Sequence, residues 1–216
     1  VGANALYANL SGNYNVAIGV NALEDNTASH CTAVGYKALS ENTTGDANTA
    51  VGLRALDLTT TTSDNTAVGY YALRANTGAS NVAVGKDALT ANTTGGSNVA
   101  IGYRALKDNT TVSQMTAVGT GALQNNTTGD ENVALGYHAL TVNTTGSGSV
   151  AVGWEAGKAV TTGDYMVLMG RRAGYSLTTA DSNVAIGNAA LAAETTGEKN
   201  TAVGRSALDS QDGAAN

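Results

Sequence analysis

The chain has 216 residues and a formal net charge of −6, and only 13% of its residues are charged. No stretch approaches the roughly 20 apolar residues of a membrane-spanning helix. The 11 lysines and arginines are scattered without a basic run, which argues against nucleic-acid binding. With 27 glycines, one tryptophan and no phenylalanine or proline, the core must be built from Ala, Val, Ile and Leu. That composition favours a thin, regular structure over an ordinary globular core.

A unit of about 17 residues recurs thirteen times along the chain. A clear copy is Asn98-Val99-Ala100-Ile101-Gly102-Tyr103-Arg104-Ala105-Leu106, and the spacing between copies is 17 residues except for two spacings of 16. The glycine of each copy, called the anchor glycine below, stands at Gly2, Gly19, Gly35, Gly52, Gly69, Gly85, Gly102, Gly119, Gly136, Gly153, Gly170, Gly187 and Gly204. The first copy is entered in its middle, at Val1-Gly2, so we expect the chain to be a segment of a longer protein.

The residues before each anchor glycine predict a short strand. An aliphatic residue precedes every anchor glycine. Ala precedes that aliphatic residue in all full copies but one, where Leu168 replaces the Ala. Residues of this kind favour extended backbone, and alternate side chains point to opposite faces. Because neither face carries charge, the pattern predicts a strand that is buried on both sides.

The rest of the unit predicts turns and a second interior position. Ala-Leu follows the anchor in eleven of the thirteen copies, and we interpret it as a second short strand or a turn whose Leu fills the interior. A helix would span only about six residues there and would be marginal. Asn-Thr-Thr-Gly, as at 42–45, is turn chemistry, because Asn bonds nearby backbone and Gly accepts positive φ.

Together these elements predict an all-β fold: a parallel β-roll or β-solenoid of about 13 coils with a 17-residue repeat. Residues 1–208 form a single repeat array, and 209–216 are a polar tail or the start of a following segment. Coils stacked at about 4.8 Å give a rod of roughly 60 Å.

Two rows of Asn recur in register with the anchors. One lies four residues before the anchor and the other seven after it, so stacked amides should bond along the rod and to turn backbone. Cys31 stands in the first row and is interpreted as a tolerated substitution. Asn-Thr-Thr also matches the N-glycosylation sequon, but the periodicity alone explains it. The five Asn-Thr-Thr copies start at Asn42, Asn92, Asn109, Asn126 and Asn143.

A single coil holds only about five apolar side chains, which is little core for an isolated chain. A strand with two apolar faces offers a solution, since one face can line its own coil and the other can pack against identical chains. Closed symmetry would then complete the assembly, although a flattened monomeric solenoid also buries both faces.

The unit Asn-x-Ala-Val-Gly-x-x-Ala-Leu resembles the head repeats of trimeric autotransporter adhesins of the Yersinia adhesin type, and related repeats of bacteriophage tail fibres. The resemblance covers residues 1 to about 208, although the adhesin unit is shorter than 17 residues. It implies a left-handed, homotrimeric roll located outside the cell or on a virion. It also implies a structural or adhesive role, with a host-surface protein or glycan as a further partner.

Residues for catalysis, metal binding or cofactor binding are sparse. His30 and His138 fall in distant coils, and no His or Cys spacing typical of a metal site occurs. Several carboxylates lie in turns without the recurrent pattern of a calcium site. We therefore predict no enzyme activity, no cofactor and no metal.

Two features mark a candidate contact surface. Ala-Gly replaces Ala-Leu in the region 149–175, where Trp154, Arg171 and Arg172 cluster, so this region is either a structural irregularity or a contact site. Aromatic residues also stand one place after several anchors. These are Tyr36, Tyr70, Tyr103, Tyr137 and Trp154, and they form either a glycan-stacking stripe or packing over the adjacent coil.

The alternative function is ice binding. Thr stands eight residues after the anchor in eleven consecutive copies, from Thr27 to Thr195, and a straight Thr row can order water. Against this, adjacent Thr residues in a strand point to opposite faces.

Overall fold

The computed structural model describes residues 1–209 and shows an all-β parallel solenoid. Twelve three-residue strands form one sheet in sequence order. They are β1 (Val16–Ile18), β2 (Thr32–Val34), β3 (Thr49–Val51), β4 (Thr66–Val68), β5 (Val82–Val84), β6 (Val99–Ile101), β7 (Thr116–Val118), β8 (Val133–Leu135), β9 (Val150–Val152), β10 (Val167–Met169), β11 (Val184–Ile186) and β12 (Thr201–Val203). Except for Asp209, the predicted tail 209–216 lies outside the described residues.

Equivalent residues of successive repeats lie opposite each other in the sheet. In the pairing of β6 with β7, Val99 is opposite Thr116 and Ala100 is opposite Ala117. The N–H of each anchor glycine donates to the carbonyl of the aliphatic residue one coil earlier, as from Gly119 to Ile101 over 2.7 Å. Every coil is therefore hydrogen-bonded to the coil before it and the coil after it.

The number of coils is slightly smaller than predicted. We expected about 13 coils, but twelve strands enclose eleven complete coils. The difference arises because the first repeat contributes only Val1 before its anchor. At about 4.8 Å per coil, β1 and β12 lie about 50 Å apart along the rod.

Each described coil contains one strand, and the Ala-Leu segment is a turn. The Leu residues of this segment have φ between 48° and 55°, as at Leu140 and Leu6. The residue two after the anchor also has positive φ, for example 57° at Arg104. A chain that changes backbone hand twice in three residues cannot continue as a strand. The predicted interior position of Leu is confirmed, since Leu106 and its equivalents in the regular coils from Leu23 to Leu191 are fully buried.

The anchor glycines are required by both conformation and space. Gly102 has φ of 135°, which L side chains rarely adopt, and a Cβ there would lie 2.5 Å from the carbonyl oxygen of Gly119. Because the same arrangement repeats along the rod, Gly is the residue that allows neighbouring coils to approach at this corner.

The predicted Asn rows are confirmed. In the row before the anchor, Oδ1 of Asn81 accepts the N–H of Asn98 over 2.9 Å, and Nδ2 of Asn98 donates to the carbonyl of Val112 over 2.8 Å. In the row after it, Nδ2 of Asn92 donates to Oδ1 of Asn76 over 2.7 Å. The Asn residues of the five Asn-Thr-Thr copies are buried. The structural interpretation of these Asn residues therefore accounts for the sequons.

Cys31 occupies the Asn row as predicted. Its side chain is fully buried, and Sγ lies 3.2 Å from the carbonyl oxygen of Gly45. Burial raises the pKa of the Cys31 thiol.

Candidate functional site

The sheet presents an uncharged, largely apolar face to the outside of the chain, in which five strands contribute a Thr. The central Ala of each strand points inward and is buried, whereas the first and third residues of β1–β12 point outward and are partly or fully exposed. We call these outward residues the outer strand face. Ile101 is 38% exposed and Met169 is 41% exposed. The prediction that the strand is buried on both sides is therefore wrong for the isolated chain, because only the Ala side meets the interior.

Residues one and two positions after the anchors run along one edge of this face, and we call them the basic flank. They include seven cations and two carboxylates, Asp87 and Glu155. The cations are Lys37, Arg54, Lys86, Arg104, Arg171, Arg172 and Arg205. Ten of the 11 cations of the chain fall one, two or five positions after an anchor. The cations are scattered along the sequence, but stacking of the coils brings equivalent repeat positions into rows. The expectation that the cations are also scattered on the folded chain is therefore wrong.

The aromatic residues of the basic flank stack along the rod. The rings of Tyr137 and Trp154 are 6.1 Å apart and within 9° of parallel. Lys86 Nζ lies over the rings of both Tyr70 and Tyr103, 5.4 and 5.9 Å from their centroids. These ring faces are therefore occupied by neighbouring coils, which favours packing over the adjacent coil. A sugar-stacking role for the row stays a prediction.

Tyr36 begins the same row, with Lys37 Nζ 6.0 Å from its ring centroid. The five aromatic residues that we predicted as a stripe, Tyr36, Tyr70, Tyr103, Tyr137 and Trp154, are all partly exposed. The structure therefore places them in one row on the surface.

The predicted cluster around Trp154 is formed. Arg171 and Arg172 both place their guanidinium groups over the Trp154 ring, 4.8 and 4.9 Å from its centroid. Arg172 also donates to Glu155 over 3.0 Å, and Lys158 donates to the same carboxylate over 2.6 Å. Only Arg171 of these cations is left without an ion pair among the described residues, and it is exposed.

Glu155 is a buried carboxylate that sequence reasoning missed, because the equivalent residue is variable in other copies. Burial alone would raise the pKa of the Glu155 carboxyl, but the hydrogen bonds from Lys158 and Arg172 outweigh it. The pKa of Glu155 therefore lies below its ordinary value, and the carboxylate is charged at neutral pH.

Asp57 is a second buried carboxylate with two cations beside it. Its oxygens lie 3.2 Å from Arg74 Nε and 3.7 Å from Arg54 Nε. Burial raises the pKa of the Asp57 carboxyl, and the two guanidinium groups offset this only in part. Both carboxylates therefore form ion pairs within the chain.

Residues six and five positions before the anchors run along the opposite edge of the outer strand face, and we call them the acidic flank. They include seven carboxylates and one cation, Lys199. The carboxylates are Asp46, Asp64, Asp130, Glu131, Asp164, Asp181 and Glu198. Among residues 1–209, none of the ion pairs involves this flank. Its bonds are to backbone, as from the Ser147 N–H to Asp164 over 2.7 Å.

The irregular region 149–175 is a local exchange of core residues. A Cβ on Gly157 would lie 2.7 Å from Cδ1 of Leu168, and a Cβ on Gly174 would lie 2.7 Å from its Cδ2. Leu168 therefore fills part of the space that the turn Leu fills in the regular coils, together with Leu140 beside Gly157 and Leu177 beside Gly174. Strands β9, β10 and β11 keep their register through this region.

The Thr row lies on the surface and bonds to the rod. The hydroxyl of Thr93 donates to the carbonyl of Thr110 over 2.9 Å, and that of Thr127 donates to Thr144 over 3.0 Å. The recurrence of Thr thus has a structural reason, since each such hydroxyl links two coils.

Within the described part of the chain, no pocket is detected and no three His, Cys, Asp or Glu side chains are grouped to hold a metal ion. None of the described residues belongs to a helix long and apolar enough to cross a membrane. The candidate site is therefore a surface, made of the outer strand face and its two flanks.

Comparisons of the chain with protein-family models, with curated proteins and with solved structures find no match.

Proposed function

We propose that this chain is a rod-like structural or adhesive module of a trimeric fibre, in which three copies pack through their outer strand faces. The observation that carries the proposal is the uncharged, largely apolar face along β1–β12. It supports a role in which the surface of the isolated chain becomes the interior of an assembly.

The physical argument is the cost of leaving this face in water. Contiguous exposed apolar surface of this extent is unusual on monomeric proteins and marks interaction sites. The face is about 50 Å long and one strand wide. Within the isolated chain the regular core consists mainly of Ala and Leu, so association of copies would add the Val, Ile and Leu side chains of the outer strand face to the buried apolar surface.

Three copies are proposed because a narrow face that runs the length of a rod suits a ring around a parallel axis. In such a ring every copy turns its face to the axis. The resemblance to trimeric adhesin heads and tail-fibre repeats supports the same number and an extracellular or virion location. The rod would then serve surface attachment or hold other parts of the fibre at a distance.

Light scattering of the chain in solution tests the proposal. A molar mass of three times the 21.5 kDa chain supports it. A stable, folded species with the mass of one chain would contradict it.

Ice binding remains the alternative, supported by the exposed Thr row. The donation of Thr hydroxyls to the next coil weighs against it, because those hydrogens are already engaged. Thermal hysteresis that disappears when Thr93 and Thr110 become lysine would favour this alternative.

A further inference from the structure

We propose that the acidic flank of each copy lies against the basic flank of the next in the assembly. The inference rests on the proposed function, and it adds the charged residues that meet at each contact and favour parallel over antiparallel rods. The partner surface is a second copy of this chain.

The placement of charge around the outer strand face is the first observation. The acidic flank lies before the strand in every coil and the basic flank lies after it, so the apolar face separates two edges of opposite charge. Acidic-flank carboxylates such as Asp130 and Glu131 are exposed. Neither edge neutralises the other within the chain, because none of the ion pairs among the described residues joins the two flanks.

The symmetry of the assembly determines which flanks of neighbouring copies meet. When parallel rods turn one face toward a common axis, the left edge of each copy meets the right edge of its neighbour. Acidic and basic flanks then come together at every contact. When two rods pack antiparallel through the same face, each edge meets its own equivalent, so acid faces acid and base faces base. The charge pattern therefore favours parallel rods and opposes antiparallel ones.

Residues of the same coil supply specific partners. In a ring without axial shift, equivalent coils of neighbouring copies lie at one height. Asp164 lies six positions before Gly170 and Arg171 lies one position after it, so Arg171 of one copy would approach Asp164 of the next. Glu198 and Arg205 stand in the same relation to Gly204.

The side chain of Arg171 is suited to this role. It is exposed, it makes no ion pair in the described chain, and its guanidinium group is held over Trp154. A cation that is already ordered loses less conformational entropy when it pairs. Each exposed ion pair contributes little alone, so the repeated pairs act mainly on orientation and partner choice.

Charge reversal on each flank tests the inference. Three substitutions turn the net charge of the basic flank from positive to negative, and three others remove the net negative charge of the acidic flank; all six residues are outside the ion pairs of the described chain. The first variant is Lys37→Glu, Lys86→Glu and Arg205→Glu, and the second is Asp64→Lys, Asp130→Lys and Glu198→Lys. A control variant carries the same number of new charges on an exposed row outside both flanks, namely Thr94→Glu, Thr111→Glu and Thr128→Glu.

We expect each flank variant to associate at least about tenfold more weakly than the wild type at low salt, because the attraction between oppositely charged flanks is lost. Arg205→Glu combined with Glu198→Arg, which exchanges the charges of one in-register pair, should associate more tightly than Arg205→Glu alone, and the control should match the wild type. The difference between variants and wild type should shrink at about 1 M salt, where the screening length falls to about 3 Å.

A cysteine pair checks the direction of the rods. In a Cys31→Asn background, Asp164→Cys together with Arg171→Cys should form disulfides between copies and give covalent trimers. Covalent products from Asp46→Cys together with Asp164→Cys, at the yield of the first pair, would indicate antiparallel packing with β3 opposite β10 and would overturn the inference.

The two proposals fail in different ways. If the chain is a trimer whose association constant changes with neither salt nor charge reversal, the pairing of acidic and basic flanks is overturned and the proposed fibre role is unaffected. A wild-type chain that stays monomeric overturns both.

Discussion

Leu168 occupies the interior space that faces Gly157, with its Cδ1 atom 2.7 Å from where a Cβ of that glycine would lie. The strand position held by Leu168 and the turn position held by Gly157 therefore share one volume in the core. Regular coils fill this volume from the turn side, with Leu in the turn and Ala in the strand. The coils around β10 fill it from the strand side.

This relationship predicts that the loss of unfolding free energy caused by one substitution is partly recovered by two others. Leu168→Ala should destabilise the fold by about 2–5 kcal/mol, because it leaves a cavity beside two glycines. Adding Gly157→Leu and Gly174→Leu to that variant should recover part of the loss, because Leu then fills the volume from the turn side as in the regular coils. Urea unfolding measures all three chains.

The single substitution Gly157→Leu provides the control. In the wild-type core it should destabilise the fold, since Leu168 already fills the space. If Gly157→Leu is neutral alone, the shared volume is not as described.

The anchor glycines predict a sharp contrast between two Gly→Ala substitutions. Gly102→Ala should cost at least about 2 kcal/mol, because φ of 135° is strained for Ala and its Cβ would meet the carbonyl of Gly119. Gly96→Ala is the matched control, since Gly96 has no positive φ and a Cβ there would approach only the backbone of Ala79, at 3.0 Å. Thermal unfolding of the two variants should differ clearly, and equal melting temperatures would contradict this account.

The outer strand face predicts a separation of assembly from folding. Ile101→Lys should lower the molar mass to that of one chain and change the unfolding of that chain little, because Ile101 is 38% exposed before association. Thr111→Lys places the same charge on an exposed row outside the outer strand face and should keep the wild-type mass. Light scattering and circular dichroism on both variants check this. Loss of assembly in the Thr111 variant would argue against a specific face.

The two buried carboxylates predict opposite pH dependences. The folded pKa of Glu155 is lowered, so its stabilising contribution is present above the unfolded pKa and is lost as pH falls through the folded value. The difference in unfolding free energy between wild type and Glu155→Gln should therefore shrink toward acid pH.

Asp57 provides the counterpart. Its folded pKa is raised, so its contribution is present below the unfolded pKa and is lost as pH rises through the folded value. The stability difference between wild type and Asp57→Asn should therefore grow toward acid pH. Urea unfolding of the two variants and the wild type across a pH series measures both slopes, and parallel slopes would contradict the assignment.

The regular spacing of the anchor glycines was sufficient to predict the coil, the parallel pairing and the Asn rows. Each of these features depends only on residues that recur in the same position. Coil stacking places equivalents such as Asn81 and Asn98 in contact whatever the shape of the rest of the coil.

The direction of the strand side chains was harder to predict, because Ala and its aliphatic neighbours are both apolar. Ala100 points inward because Leu in the turn already fills the shared volume and leaves room for a methyl group only. The same competition is resolved the other way at Leu168, where the strand carries the large side chain and the turn carries Gly157.

The two charged flanks escaped prediction for another reason. Residues such as Lys37, Lys86 and Arg171 are far apart in the sequence and differ in type, so they form no run. Only the register of the coils, at 16 or 17 residues, brings them onto one edge.

Each strand contacts only the strands before and after it in the sequence. A duplication or deletion of one 17-residue unit would consequently change the reach of the molecule by a single step of about 4.8 Å and leave every other coil in its place. The number of repeats therefore sets the length of the rod, and that length can change by one coil at a time without altering the rest of the fold.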